Sequence, residues 1–130
     1  MRVPYTNFKT RTGDDTAIGG CGFIGGEWKD LDTAEIFDNK KVVVFALPGA
    51  FTPTCSSQQL PGYEEMYDEF KAQGIDEVYC LSVNDAFVMN AWFTNQEIKK
   101  VKPLGDGEGV FTQGAGFLVS KPAQGFGMRS

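Results

Sequence analysis

The chain of 130 residues contains no histidine, and this absence removes several kinds of active site. Cys-His and Ser-His catalysis need an imidazole base, so neither can operate within one copy of this chain. Zinc sites that use histidine are excluded for the same reason, and three dispersed cysteines are too few for an all-cysteine tetrahedral site. Any chemistry at a cysteine must therefore obtain its thiolate from electrostatics and hydrogen bonds.

Long apolar runs and an excess of positive charge are also missing. No segment approaches the roughly 20 apolar residues that span a bilayer, and the first residues lack the apolar stretch of a signal peptide. The net charge of −5 argues against non-specific binding to nucleic acid. These absences predict a cytoplasmic protein with neither a membrane nor a nucleic-acid partner, whose cysteines are reduced thiols.

The composition that remains is that of an ordinary globular protein. Hydrophobic residues make up 42% of the chain and charged residues 22%. A chain of this length can bury a core that needs neither disulfides nor a metal to fold. No internal repeat or low-complexity linker divides the sequence, so we expect a single domain over residues 1–130.

The order of the apolar patterns predicts an α/β fold with parallel strands. Residues 41–47 form a continuous β-branched and aromatic run, typical of a central parallel strand that is covered on both faces. Residues 78–83 predict a second buried strand, and residues 101–104 a further short one. Because a helical pattern follows each of the first two strands, we expect a right-handed crossover between them.

Helix signals are clear between and after these strands. Apolar residues recur at helical spacing from Leu60 to Phe70, where Pro61 is expected to bend or break the helix and Gly74 to end it. Asn84 or Asp85 is expected to cap the next helix. One face of that helix is predicted to carry Phe87, Val88, Ala91 and Trp92.

The two ends of the chain carry weaker signals. Residues 1–30 are polar and rich in glycine, which predicts loops and one short hairpin. Residues 32–37 predict a short helical turn capped by Asp32 or Thr33. Residues 122–130 show no clear element.

The segment 48–55, Pro-Gly-Ala-Phe-Thr-Pro-Thr-Cys, places a cysteine at the start of the first long helix. The positive end of the helix dipole and its unpaired N–H groups favour a thiolate at Cys55. Thr52 lies one turn earlier, where its hydroxyl can donate to the sulfur or accept from a substrate, and Pro48 ends the strand and shields one side. A buried structural role is the alternative for a cysteine, and it suits Cys80, which lies within an apolar strand.

The spacing Pro48-x-x-x-Thr52-x-x-Cys55 matches the active-site pattern of peroxiredoxins. Two further blocks follow in the family's order: residues 60–63, Leu-Pro-Gly-Tyr, and residues 81–92, Leu-Ser-Val-Asn-Asp-Ala-Phe-Val-Met-Asn-Ala-Trp. With these blocks the chain resembles the type II, or fifth, peroxiredoxin subfamily. That subfamily includes plant type II enzymes and bacterial peroxiredoxin–glutaredoxin hybrids.

The resemblance implies a thioredoxin-like fold and the reduction of hydrogen peroxide and alkyl hydroperoxides. Cys55 would be the peroxidatic nucleophile, whose thiolate attacks the O–O bond and becomes a sulfenic acid. Thr52 would hydrogen-bond the peroxide and the sulfur, and Pro48 would shield the sulfenate. No metal or organic cofactor is implied, only an external thiol reductant such as glutathione, glutaredoxin or thioredoxin.

The resemblance leaves the resolving thiol open. Cys80 matches a cysteine at this strand position in several relatives, but a strand cysteine is expected to be buried and slow to react. Cys21 lies in a glycine-rich loop and has no role in the family. We therefore favour a one-cysteine mechanism in which glutathione or a glutaredoxin-like donor resolves the sulfenate at Cys55.

A homodimer is implied as well, with a contact built from loops near the active site. Phe87, Val88 and Trp92 are candidates for that contact. The simplest interpretation of Phe51, Phe87 and Trp92 is that they are core residues.

In this family an arginine late in the sequence lies beside the peroxidatic cysteine. The resemblance places that arginine just beyond Ser130 and gives Arg129 the position of its neighbour, with a supporting role. We therefore expect a truncated peroxiredoxin that lacks the last strands and the C-terminal helix and exposes apolar surface. Such a chain should have weak or no peroxidase activity beside a C-terminally extended version. The alternative function is a non-catalytic redox-sensing or binding module of the same fold.

Overall fold

The computed structural model describes residues 2–13, 16–17 and 23–130, so Cys21 lies outside the described residues. The strands are β1 (Asn7–Thr12), β2 (Thr16–Ala17), β3 (Phe23–Ile24), β4 (Glu27–Asp32), β5 (Val42–Ala46), β6 (Glu77–Ser82), β7 (Lys102–Gly105), β8 (Val119–Lys121) and β9 (Gly127–Arg129). The α-helices are α1 (Thr33–Phe37), α2 (Leu60–Glu65), α3 (Tyr67–Ala72), α4 (Ala86–Asn95) and α5 (Val110–Gly114). A π-helical turn (Cys55–Gln59) precedes α2, and a 3-10 turn (Pro122–Gln124) lies between β8 and β9.

A parallel sheet of three strands in the order β5-β6-β7 lies at the centre of the molecule. Val43 pairs with Val78 on one side of β6, and Leu81 pairs with Leu104 on the other side. The predicted parallel pair is therefore confirmed. The central position expected for residues 41–47 belongs instead to β6, since β5 pairs with a single strand within the described residues.

Two apolar clusters cover the two faces of this sheet. One contains Cys55, Leu60 and Cys80 together with Met89 and Trp92 of α4. The other includes Phe8 of β1, Ile36 of α1, Leu81 of β6, Leu104 of β7 and Phe111 of α5, so β1 and its hairpin partner β4 pack on this face. The sheet thus has helices on one face and the N-terminal hairpin with α1 and α5 on the other, which is the layered arrangement expected of an α/β fold.

The N-terminal residues contain more regular structure than predicted. β1 and β4 pair antiparallel over six residues, from Asn7 opposite Asp32 to Thr12 opposite Glu27, and β2 pairs with β3. A hairpin was predicted here, but the antiparallel pairing is more extensive than one short hairpin between loops. The extra strand residues were missed because they are largely solvated. Phe8 is the one residue of β1 that is fully buried, so the period-2 apolar signal is too weak to read.

The predicted helix caps are confirmed in detail. Asp32 and Glu35 form a capping box at α1, with each carboxylate accepting the other residue's backbone N–H at 2.9 Å. Asp85 caps α4 by accepting the backbone N–H of Val88 at 2.9 Å. The long helix is not broken at Pro61 as predicted, because this proline lies in the first turn of α2, where a missing N–H costs little. The interruption lies at Met66 instead, and Gly74 follows the end of α3 with φ of +90°.

The predicted face of α4 was wrong by about one position. The buried residues of this helix are Ala86, Met89, Trp92 and Phe93. Ala91 is exposed, whereas Phe87 and Val88 are half-buried. Apolar residues occur on more than one side of this helix, so the pattern of residue types did not decide which of them face the core.

Residues 122–130, for which no element was predicted, contribute β9 to a short antiparallel pair with β8. Strands of three residues, one of which begins with Gly127, carry too few periodic side chains to be recognised. An apolar cavity of about 510 Å³ lies beside β5, and its lining includes Val44, Phe117 and Ser130.

In the part of the chain that the structure describes, no helix has the length and apolar character needed to cross a membrane.

Candidate active site

Cys55 lies in the first turn of the helical segment that follows β5. The backbone N–H of Ser56 donates to the carbonyl of Thr52 at 3.0 Å and closes this turn. The residues from Cys55 to Gln59 are π-helical, and α2 continues without a break. Short π-helical turns occur often at functional sites because one extra residue re-aims the side chains around it. The predicted position of Cys55 at a helix start is confirmed.

The two described cysteines share one apolar cluster, and both are buried. Cys55 is 3% exposed and Cys80 is fully buried. Burial, with a smaller contribution from the neighbouring Cys55, raises the pKa of Cys80 far above its ordinary value. Cys80 is therefore a thiol at neutral pH, as a structural cysteine in a strand should be.

The loop between β5 and Cys55 holds the other two predicted site residues. Pro48 is half-buried and Gly49 is buried. The hydroxyl of Thr52 donates to the carbonyl of Gly49 at 2.6 Å. The Thr52 proton is therefore engaged within the loop, and the lone pairs of the hydroxyl oxygen are left to accept a hydrogen bond from a substrate.

Phe51 has an unusual backbone at the centre of this loop. Its φ is +64°, in the left-handed region that bulky residues rarely adopt. The side chain is 54% exposed, so the interpretation of Phe51 as a core residue was wrong. Strain of this kind persists where the surrounding structure fixes it, and it often marks a functional loop.

The loop around Phe51 is held in place by the last residue of β6 and by the residues just after it, which sequence reasoning had not connected to the site. The side-chain oxygen of Asn84 accepts the backbone N–H of Ala50 at 3.0 Å. The hydroxyl of Ser82 lies 2.7 Å from the same oxygen and 3.2 Å from the carbonyl of Leu47. The carboxyl ends of parallel strands meet at one edge of a sheet. The polar residues at the end of the second buried strand and just after it were the sequence signal that could have revealed this anchor of the active-site loop.

Arg129 approaches the same loop from the C-terminal hairpin. Its guanidinium donates to the carbonyls of Val83 and Phe126, each at 2.9 Å. A Cβ atom added to Gly49 would lie 3.6 Å from Nη1 of Arg129. The cation therefore lies against the loop while it also ties the hairpin to the end of β6, and this geometry suits the supporting role predicted for it.

Trp92 connects α4 to the helical turn of Cys55. Its indole N–H donates to the hydroxyl of Ser56 at 2.9 Å, and its side chain is fully buried. The interpretation of Trp92 as a core residue is confirmed.

The arrangement suits chemistry at a single sulfur. Cys55 belongs to the apolar cluster that covers one face of the sheet, and it directly follows a strained, anchored loop in which Thr52 lies three residues earlier. Within the described residues, no group of three or more potential ligands is placed to hold a metal ion.

Comparison with known proteins places the chain among redox proteins. Residues 21–130 match the family model described as Redoxin. Peroxiredoxin y4vD of Sinorhizobium fredii is 55% identical over 129 residues, which are 99% of this chain and 67% of that protein.

Two solved structures are also similar to this chain. Reduced Prx3 of Vibrio vulnificus in complex with H₂O₂ is 38% identical with a TM-score of 0.82, over 100% of this chain and 74% of that one. The 1-Cys peroxiredoxin of Plasmodium falciparum, an antioxidant protein, is 46% identical with a TM-score of 0.76, over 79% of this chain and 60% of that one.

Proposed function

The chain belongs to the peroxiredoxin family of thiol peroxidases, and on that premise we propose that it reduces hydroperoxides through the thiolate of Cys55. The resemblance to peroxiredoxins and the expected thioredoxin-like fold are confirmed. The observation that carries the proposal is the position of Cys55 in the first turn of its helix, directly after the loop that contains Pro48 and Thr52.

In the proposed first step, the Cys55 thiolate attacks the terminal oxygen of the hydroperoxide. A sulfur–oxygen bond forms and the O–O bond breaks, so the sulfur becomes a sulfenic acid. The leaving oxygen takes a proton and departs as water or an alcohol. Thr52 accepts a hydrogen bond from the peroxide O–H and orients it for in-line attack, while Pro48 limits access to the sulfenate.

We propose hydrogen peroxide and alkyl hydroperoxides as the substrates. The Vibrio vulnificus relative was solved in complex with H₂O₂, which supports a small peroxide. A site built around one thiol and one hydroxyl acceptor contacts the O–O–H group, which both kinds of substrate share. The site itself requires no metal or organic cofactor for this step.

The second half of the proposal is a one-cysteine cycle with an external thiol. Glutathione attacks the sulfenic acid, water leaves, and a second thiol, free or on a glutaredoxin or thioredoxin, reduces the mixed disulfide back to Cys55. Full burial and the raised pKa of Cys80 support this choice, as does the 1-Cys relative from Plasmodium falciparum. Peptide mapping after one equivalent of peroxide tests it, because a stoichiometric Cys55–Cys80 disulfide would overturn the one-cysteine cycle.

A homodimer is part of the same proposal, formed by loops near the active site. The candidates for such a contact are the exposed ring of Phe51, the half-buried side chain of Val88, and Phe87, which is half-buried and packs against Trp28 and Arg11. Trp92, also considered for this contact, is excluded by its complete burial. Sedimentation of the Phe51→Ser variant tests the proposal, with a shift toward the monomer expected and an unchanged mass contradicting it.

The proposed activity is tested by stopped-flow measurement of the rate constant for peroxide consumption, expressed relative to the parent chain. Cys55→Ser should abolish the reaction, and Thr52→Val, which keeps the side-chain shape, should slow it about a hundredfold because one oriented contact is lost. Thr54→Val removes an exposed hydroxyl from the same turn and should react like the parent. A Cys55→Ser variant that consumes peroxide at the parent rate would sink the proposal.

A further inference from the structure

A second cavity, of about 330 Å³, lies between the N-terminal hairpin, β7 and α4. None of the residues that line it belongs to the loop or helical turn of the active site. Its floor is apolar and includes Leu31 of β4, Met89 of α4 and Pro103 of β7. The volume is at the lower end of the range for small-molecule sites.

The rim of this cavity is basic, although the chain carries a net charge of −5. Of the 12 lysines and arginines in the sequence, four line it, namely Lys9, Arg11, Lys29 and Lys102. The described residues that line it include no Asp or Glu. Lys9 forms an ion pair with Asp30 at 2.9 Å, whereas Lys29 and Lys102 are exposed and form no ion pair within the described part of the chain.

We propose that this basic groove, defined by Lys29 and Lys102 on its rim and by Leu31, Met89 and Pro103 on its floor, binds medium-chain alkyl carboxylates. The alkyl chain would lie on the apolar floor, where each methylene removed from water adds favourable free energy. The carboxylate would lie between the two lysines on the rim.

Other anions match the groove less well. An inorganic anion would leave the apolar floor exposed to water, and an acidic peptide would place polar backbone groups on it without hydrogen-bond partners. An alkyl carboxylate complements both the charge of the rim and the apolar floor. The proposal is independent of the reaction at Cys55, because none of the lining residues belongs to the active-site loop.

Calorimetric titration of the intact chain with decanoate tests this proposal. We expect saturable binding of one decanoate per chain, at least tenfold tighter than the binding of decanol or of hexaglutamate. The double variant Lys29→Glu, Lys102→Glu should bind decanoate at least tenfold more weakly. The matched control Lys121→Glu, outside the groove, should change the affinity by less than twofold, and circular dichroism should show the parent fold in each variant. If the double variant does not fold, the single variants Lys29→Gln and Lys102→Gln replace it.

Four results would overturn the proposal. These are no saturable binding of decanoate, decanol binding as tightly as decanoate, hexaglutamate binding more tightly than decanoate, and an equal loss of affinity in Lys121→Glu and in the double variant. The second result would indicate apolar adsorption only, the third a surface for acidic peptides, and the fourth a general effect of net charge.

Discussion

The side-chain oxygen of Asn84, two residues after β6, accepts the backbone N–H of Ala50 at 3.0 Å. This bond joins residues 34 positions apart in the sequence and anchors the loop that carries Pro48 and Thr52. The hydroxyl of Ser82 lies 2.7 Å from the same oxygen. The geometry of the loop beside Cys55 therefore depends on the end of a neighbouring strand.

Replacing Asn84 should disturb the active-site loop without touching the sulfur. In Asn84→Ala the N–H of Ala50 loses its acceptor, which should cost about 1–3 kcal/mol of unfolding free energy. The rate constant for peroxide consumption should fall about tenfold or more, because small misplacements of reacting groups are costly. Asn84→Asp keeps an acceptor oxygen and should retain most of the rate. Urea unfolding and stopped-flow kinetics measure the two effects, and an Asn84→Ala variant with the parent rate would contradict the anchoring role.

Gly105 should be intolerant of a side chain because it packs against the backbone after β6. A Cβ atom at this position would lie 2.8 Å from the carbonyl oxygen of Asn84 and 3.1 Å from the carbonyl carbon of Asp85. Gly105→Ala should therefore lose about 1–3 kcal/mol of unfolding free energy, as overpacked sites do, and should slow peroxide consumption by moving Asn84.

Gly107 supplies the matched control for that change. The nearest atom to a Cβ at Gly107 is 3.5 Å away, which is ordinary contact. Gly107→Ala should change the unfolding free energy by no more than about 0.5 kcal/mol. Equal effects of the two glycine variants in urea unfolding would show that the close contact at Gly105 is not what matters.

Glu64 organises the loop that leads into β7. Its carboxylate accepts the backbone N–H groups of Lys99, Lys100 and Val101, at 2.7, 3.1 and 2.9 Å. Glu64→Gln weakens these charge-assisted bonds and offers one acceptor oxygen in place of two, so it should cost about 1–3 kcal/mol. The neighbouring Glu65 is exposed, and Glu65→Gln should be nearly neutral. Thermal or urea unfolding of the Glu64→Gln and Glu65→Gln variants measures the difference. An equal loss of unfolding free energy in both variants would refute the role of Glu64.

Tyr67 should make stability fall at high pH. Burial, followed by the hydrogen bond of its hydroxyl to Glu77, raises the pKa of Tyr67 from 10.0 to about 12. A pKa that is higher in the folded state gives stabilisation that is complete below pH 10.0 and is lost as the pH rises toward about 12. Unfolding followed between pH 9 and pH 12 should show a decline that is smaller in Tyr67→Phe, whereas identical profiles would contradict the assignment.

The parts of the fold that sequence predicted are those with strong local signals. The β-branched run of β5 and the acidic caps Asp32 and Asp85 each act through neighbouring residues, so their patterns can be read locally. The solvated strands β1 and β4 lack such a signal because their stability comes from pairing with each other across residues 13–26.

The candidate site divides in the same way. Pro48, Thr52 and Cys55 form one short motif and were found by their spacing. The anchors Ser82 and Asn84 were missed because they meet the loop only when two strands lie side by side. The exposure of Phe51 depends on one left-handed backbone angle, which residue type does not predict for phenylalanine.

The identity of the reacting thiol is the central claim, and trapping the sulfenic acid tests it most directly. The reduced chain is treated with one equivalent of hydrogen peroxide in the presence of dimedone, and the three cysteine-containing peptides are quantified by mass spectrometry. We expect the adduct on the peptide of Cys55, with Cys80 unmodified and the adduct absent in Cys55→Ser. An adduct found mainly on Cys21 or Cys80, or none on Cys55, would contradict it.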